Sequence, residues 1–223
     1  MSVDSFRKHG VVAARRVDRV VKRGTDVVIS VAALVLLSPL LLVIWIAVRA
    51  TSPGPALFRQ ERLGLNQRSF VLLKFRSMWV GCDDTVHRQY VTGLLTDRTP
   101  IPRPDTGLYK LCDDTRVTTV GGWLRRTSLD EIPQLINVLR GDMSLVGPRP
   151  VLAWEAALFE DPDHCRFGVR PGMTGLWQVS GRSLLTMREA LALDAEYVRR
   201  RGVALDLAIL LRTIPALLRG SAR

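Results

Sequence analysis

Asp130 and Glu131 set two carboxylates side by side just ahead of Ile132-Pro133-Gln134-Leu135-Ile136-Asn137-Val138-Leu139-Arg140, and the same stretch closes on Pro148-Arg149-Pro150. Carboxylates so placed offer hard oxygens to a cation and a charge for nucleophilic or acid–base work. Prolines on both sides fix the backbone around Arg149, which suits a guanidinium held ready to fork two hydrogen bonds onto phosphate oxygens. An arginine in a rigid surface turn carries the same residues. Ser128 with Glu131 three residues on also fits a capping box at a helix start. Pro133 would then fall at the fifth helical position, where it costs a hydrogen bond and a clash, so a helix starting at Pro133 is the alternative.

Other cations recur near glycines and turns. Lys74 and Arg76 lie in Lys74-Phe75-Arg76-Ser77-Met78, and Lys74 reads equally as a phosphate ligand or a solvated strand end. Arg125 and Arg126 follow Gly121-Gly122-Trp123-Leu124. The block Val169-Arg170-Pro171-Gly172-Met173-Thr174-Gly175-Leu176-Trp177-Gln178-Val179-Ser180-Gly181-Arg182 adds Arg182 and glycines that permit close approach of backbone to a ligand. Trp177 suits stacking on a sugar or base, and more commonly a core.

These groups need elements to hold them. At 223 residues the chain fits one domain with a real core. A formal charge of +11 calls for anionic partners: nucleic acid, an acidic membrane surface or phosphorylated substrates. Cys82, Cys112 and Cys165 are odd in number and scattered, and no Cys/His cluster suits zinc, which implies a reduced, cytosol-facing domain and a hard, oxygen-ligated metal if any. No helix-turn-helix, zinc or aromatic-basic signature supports nucleic acid.

Residues 27–48 are 22 uncharged residues, enough for a helix to cross about 30 Å of hydrocarbon. Basic residues flank both ends, Lys22 and Arg23 before and Arg49 and Arg59 after, so both ends prefer the cytoplasmic side. Ser38-Pro39 stands near the middle, where proline removes an amide. A helix that enters, breaks and returns accounts for both features, and a single-pass anchor with a tolerated kink stays open beside it. Asp26 is expected to cap and pair at the entrance.

Further on, 58–64 and 70–78 read as two extended segments joined near Asn66 and Gln67, a β-hairpin. The Pro-rich stretch 95–107 reads as a surface loop. Residues 187–201 have helical spacing, and 203–218 fit either an interfacial amphipathic helix or a core helix.

The Asp130-Glu131 stretch, the Lys74 to Met78 element, the Pro148-Arg149-Pro150 turn and the block ending at Arg182 together resemble the bacterial sugar transferases, monotopic polyprenyl-phosphate phosphoglycosyl transferases, in their minimal catalytic form. The likeness runs from Lys22 to about Thr213 and fails mainly in 95–107. It implies an α+β, helix-dominated monotopic membrane protein with a re-entrant helix-break-helix, a small hairpin and interfacial amphipathic helices. Residues 1–23 would be a basic juxtamembrane segment, 24–50 the re-entrant helix broken at Ser38 and Pro39, and 51–223 the catalytic domain. The resemblance makes Asp130 the nucleophile, Glu131 the ligand of Mg2+, and Lys74, Arg76, Arg125, Arg149 and Arg182 the phosphate-binding cations. A UDP-sugar would be the donor and polyprenyl (undecaprenyl) phosphate the acceptor, at the cytoplasmic face of a bacterial inner membrane, in polysaccharide or glycoconjugate synthesis. A homo-oligomer stays open, the sugar is not specified, and a non-catalytic membrane-anchored adaptor is the alternative.

Overall fold

The computed structural model describes residues 3–83, 85–95, 114–161, 164–181 and 185–221. The rest of the expected 95–107 loop beyond Leu95, and Arg182, lie outside them. Helix α1 (Val3–Thr51) leads into a two-stranded antiparallel hairpin of β1 (Leu57–Leu63) and β2 (Ser69–Phe75). The hairpin turn holds Asn66 and Gln67 at positive φ, a region that Asn tolerates better than most residues. Then come α2 (Thr85–Leu95), α3 (Thr119–Thr127), α4 (Gln134–Arg140), β3 (Ser144–Val146), α5 (Ala153–Ala156), β4 (Gly172–Thr174), α6 (Leu176–Ser180), α7 (Met187–Arg200) and α8 (Val203–Ser221). β3 and β4 pair in parallel. The result is the expected α+β, helix-rich arrangement with its hairpin.

Helix α1 packs by one stripe. Asp26, Ser30, Ile44 and Val48 are buried at helical spacing, while Val28, Val35, Leu36, Leu42, Val43 and Ile46 stay exposed. Ala33 and Leu34 rest on the main core around Leu72, Leu135 and Val138, and Leu41, Ile44 and Val48 rest with Phe75 and Leu124. Among the described residues one helix, over Asp18–Thr51, is long and apolar enough to cross a membrane.

The expected break at Ser38-Pro39 is not a gap in this helix, which continues through Pro39. Proline leaves the carbonyl four residues earlier, that of Val35, without its amide partner. The Ser38 hydroxyl donates to that oxygen at 2.8 Å, so the orphaned group is satisfied inside the helix.

Asp26 corrects a second expectation. It lies inside α1 rather than at its start, and its carboxylate accepts the Leu145 amide at 3.1 Å. Lys22 turns instead to Asp206 of α8 at 2.5 Å and to the Val146 carbonyl at 3.1 Å. Arg23 donates to the Val138 and Leu139 carbonyls at the end of α4.

Helix α4 has seven residues, too few to be stable alone. Leu135 and Val138 are buried, each contributing about 1.5–3 kcal/mol. Gly141 ends the helix at φ 89°. Asn137, fully buried, accepts the Leu73 amide at 3.0 Å and donates to the Val71 carbonyl at 2.8 Å, pairing the outer edge of β2. Of the C-terminal helices, α7 starts on a Thr186–Glu189 capping box, and α8 buries Ile209 and Asp206 while exposing Leu207, Leu211 and Ile214.

Asn137→Ala strands one buried donor and one buried acceptor of β2, at about 1–3 kcal/mol each. The expected outcome is a clear fall in the thermal unfolding midpoint of the detergent-purified protein, with the exposed Arg140→Ala as a near-neutral control. Equal midpoints for the two variants would mean that β2 finds other partners.

Candidate active site

Asp130 and Glu131 occupy a one-turn 3-10 helix, Leu129–Glu131, wedged between α3 and α4. The chain reaches it because Ser128 adopts φ 57° and turns out of α3. Ser128 makes no side-chain cap bond there, so the capping-box reading of Ser128 and Glu131 is corrected; α3 is capped instead by Thr118, whose hydroxyl accepts from Gly121 at 2.9 Å. Pro133 is the residue before α4, consistent with a helix starting at that proline. Neighbouring residues of a 3-10 turn point about 120° apart. Asp130 is thus 7% exposed while Glu131 is half-buried.

Lys74 arrives from the end of β2, opposite Phe58, whose ring centroid lies 5.3 Å from its Nζ. Burial pushes this ammonium down to about 8, against the pull of Asp130; Arg62 pushes the same way as burial, Glu131 opposes it, and Arg149 adds to the lowering. Both carboxylates and two guanidiniums therefore act on one buried amine. Arg125, in the last turn of α3, is lowered chiefly by burial and held up by Asp114 and Asp130. Its Nη1 lies 4.0 Å from Asp114, which Arg116 grips at 2.7 Å. Arg126 is exposed.

The turn carrying Arg149 is held through its carbonyls. Gly172 N–H donates to Pro148 at 2.8 Å, Arg166 Nη2 to Arg149 at 2.7 Å, Arg62 Nη1 to Pro150 at 3.3 Å and Leu63 N–H to Val151 at 2.8 Å. Two of its residues are prolines with no amide of their own, so outside donors do the holding.

Lys74, Arg125, Asp130, Glu131 and Arg149 are thus brought together. Arg76 is not. Its guanidinium donates to the carbonyls of Val48, Ser52 and Pro53, closing the C-terminal end of α1. The glycines of the second block also serve another purpose: a Cβ on Gly172 or Gly175 would collide with the backbone of Gly147, so they permit chain to pass chain. Trp177 is buried with Met187 and Ala190 in a small core. Arg62 was absent from the sequence candidates. Its signal was parity, because Arg62 and Lys74, paired respectively with Phe70 and Phe58, fall on one face of the hairpin.

Among the described residues no cluster of three or more His, Cys, Asp or Glu is poised for a metal. What the site offers a cation is a pair of hard oxygens from Asp130 and Glu131, the donor type that magnesium takes when phosphates and water complete its shell.

The profile of the family described as bacterial sugar transferase matches residues 17–220. An exopolysaccharide production protein ExoY of Sinorhizobium fredii is 40% identical over 94% of this chain and 91% of its own. The undecaprenyl-phosphate galactose phosphotransferase of Salmonella typhimurium is 41% identical, and the match covers 92% of this chain but 42% of that protein. A UDP-glucose:undecaprenyl-phosphate glucose-1-phosphate transferase of Caulobacter vibrioides is 42% identical over 88% of this chain and 69% of its own. A profile match over nearly the whole chain, spanning the carboxylate pair and the cations that surround it, shows that this protein belongs to the bacterial sugar transferase family.

Proposed function

We propose that the protein moves a sugar-1-phosphate from a UDP-sugar to polyprenyl phosphate through a phosphosugar ester on Asp130, an early membrane step of polysaccharide or glycoconjugate synthesis. What carries this is the half-buried Lys74 at the end of β2, an ammonium lowered by its burial and within electrostatic reach of Asp130, Glu131, Arg62 and Arg149, with Asp130 itself buried beside α4. Phosphoryl transfer needs little more than in-line placement and neutralised oxygens. The relatives named for undecaprenyl-phosphate galactose and glucose-1-phosphate transfer support the donor and acceptor classes.

In the first step an Asp130 carboxylate oxygen bonds to the phosphorus that carries the sugar, and the bridging P–O bond breaks with its electron pair leaving on UMP. In the second, an oxygen of the lipid phosphate bonds to that phosphorus and the carboxylate departs, giving a lipid diphosphate sugar. No proton need be gained or lost overall. Lys74, Arg149 and Arg125 balance the charge of the phosphates, and Arg62 does so while gripping Pro150. Magnesium, held by Glu131, would supply further charge neutralisation on the donor diphosphate.

Support for a seat in the membrane comes from α1. Both halves of its apolar run dock on one unit, Ala33 and Leu34 at one end and Ile44 and Val48 at the other. A straight spanning helix would carry one half away across the bilayer. We read α1 as re-entrant, bent at Ser38-Pro39 with both ends at the cytoplasmic face of the inner membrane, and α8 as an interfacial helix through exposed Leu207, Leu211 and Ile214.

Single cysteines at positions 10 and 59, with the three native ones replaced, should both stay unlabelled by an impermeant thiol reagent in intact cells. Labelling of position 10 alone establishes a spanning helix.

Mixed with UDP-sugar and magnesium but no lipid, the enzyme should release about one UMP per site and gain one phosphosugar on the peptide holding Asp130. Asp130→Asn should give neither, and excess chelator should abolish both. Intersecting rather than parallel lines in two-substrate kinetics, with no adduct on rapid quench, would sink the covalent step.

The pH dependence has two opposite signs. Lys74 in the free protein is charged below about 8, so kcat/KM for the donor should fall about tenfold per pH unit above that point. Lys74→Arg should move the limb to higher pH. Stability goes the other way: between about 8 and 10.5 the unfolded chain binds the extra proton, so Lys74 makes the fold more stable as pH rises through that window. A donor kcat/KM that stays flat to pH 10 removes Lys74 from phosphate binding.

A further inference from the structure

Of the four grips on the Pro148-to-Val151 turn, two come from backbone amides, and two from guanidiniums. The Arg166 grip is the shorter of the charged pair, and it falls on the carbonyl of Arg149 itself. Arg166 is 5% exposed and sits in the turn Cys165–Gly168, which packs on α7. Its Nη2 also lies 3.1 Å from Asp194 Oδ2, and its guanidinium carbon stands 5.2 Å from the centroid of the Phe159 ring. Asp194 is 2% exposed, and its other oxygen has no hydrogen-bond partner among the described residues. Its carboxylate is therefore turned to Arg166.

A pair buried this deeply is a weak source of stability, because desolvation takes back most of the attraction. It is a strong source of direction. A guanidinium is planar, and a carboxylate on one side with an aromatic ring along it leaves the group little freedom to rotate. The effect is passed on through the backbone. Pro150 confines the ψ of Arg149 to extended values, and Pro148 has its own φ fixed. Once the Arg149 carbonyl is also tied, its Cα–Cβ bond points one way only.

We propose that Asp194 and Arg166 are positioning residues for Arg149: Asp194 orients the Arg166 guanidinium, Arg166 ties the Arg149 carbonyl, and the Arg149 fork is thereby aimed at the phosphates of the donor. Neither residue touches substrate. The inference rests on the transfer reading above for its consequence, while the tie itself is independent of it. Their place in the chain, 17 and 45 residues beyond Arg149, gives no local clue to the connection.

The test uses the full chain in detergent and has two arms. Amide hydrogen exchange read by mass spectrometry needs no substrate: Arg166→Met should speed exchange of the segment 149–152 while α4 keeps its protection. Asp194→Asn, nearly isosteric, should do the same to a smaller degree and serves if Arg166→Met does not fold. In the kinetic arm, Arg166→Met should lower donor kcat/KM by about 10- to 100-fold, the scale expected of a misplaced binding group. In an Arg149→Gln background the same substitution should change kcat/KM by less than about twofold, because the group it positions is gone. A general structural defect would instead give the same loss in both backgrounds. Unchanged exchange at 149–152, or equal losses in both backgrounds, overturns the proposal. Absence of any turnover by the unsubstituted protein would sink the transfer reading alone, and the exchange arm would still decide the tie.

Discussion

Asn137 uses both ends of its side-chain amide on one strand, accepting from Leu73 and donating to Val71, and so does for the open edge of β2 what a third strand would do. Its own carbonyl receives the amides of Gly141, Asp142 and Met143, which ends α4 and turns the chain toward β3. One buried residue thus joins the hairpin, the short helix and the parallel pair. The relation matters because Lys74 follows Leu73 directly, while Asp130 stands just ahead of α4. The spacing between amine and carboxylate is set by strand geometry on one side and one short helix on the other, with the amide as the joint. No loop of adjustable length lies between them.

The long first helix is fastened by charged groups just ahead of its apolar run. Lys22 reaches Asp206, whose other oxygen lies 2.9 Å from the Tyr197 hydroxyl. Arg23 covers the last carbonyls of α4, a position where a cation also meets the negative end of the helix. Asp26 receives an amide from β3. Lys22, Arg23 and Asp26 therefore bind the apolar helix to the enzyme. The hydrophobic effect cannot do this in lipid, where the exposed Val28, Leu36 and Val43 are as well solvated as they would be inside. Polar ties at the end of the apolar run fix the register that apolar contact leaves loose.

Much of this was legible from residues alone, and the limits have physical causes. The hairpin announced itself by two extended runs around Asn66 and Gln67, and the structure places its strands within a residue or two of the expected bounds at the turn. The carboxylate pair stood out only through the resemblance of the whole stretch 127–150, since Ser128 to Glu131 alone also reads as a capping box. Arg76 was not legible, for a specific reason: the period of two that puts Lys74 and Arg76 on one face holds only while the strand lasts, and β2 ends at Phe75. The chain then turns, and Arg76 goes to the end of α1. Asn137 was missed because its partners Leu73 and Val71 lie 64 and 66 residues away, beyond the reach of any periodicity. Gly172 and Gly175 look like a ligand cradle in sequence, since the demand for a missing Cβ is the same whether a ligand or another strand approaches.

The hairpin carries more of the site than its 14 strand residues suggest. It presents Lys74, supplies Arg62 and Leu63 to the carbonyls of Pro150 and Val151, and continues directly into Arg76 at the end of the apolar helix. Two cations of the candidate site, Lys74 and Arg149, are thereby referred to the same pair of strands, and that pair is tied to the end of α1 two residues beyond Lys74. A two-stranded ribbon is only marginally stable by itself. Here Asn137 closes one edge, the Pro148-to-Val151 turn touches the other at Leu63, and Phe75 and Leu72 are anchored in two different cores. Each support of the ribbon is also a support of the site, so loosening the hairpin would move the cations, the carboxylates and the membrane helix relative to one another at once.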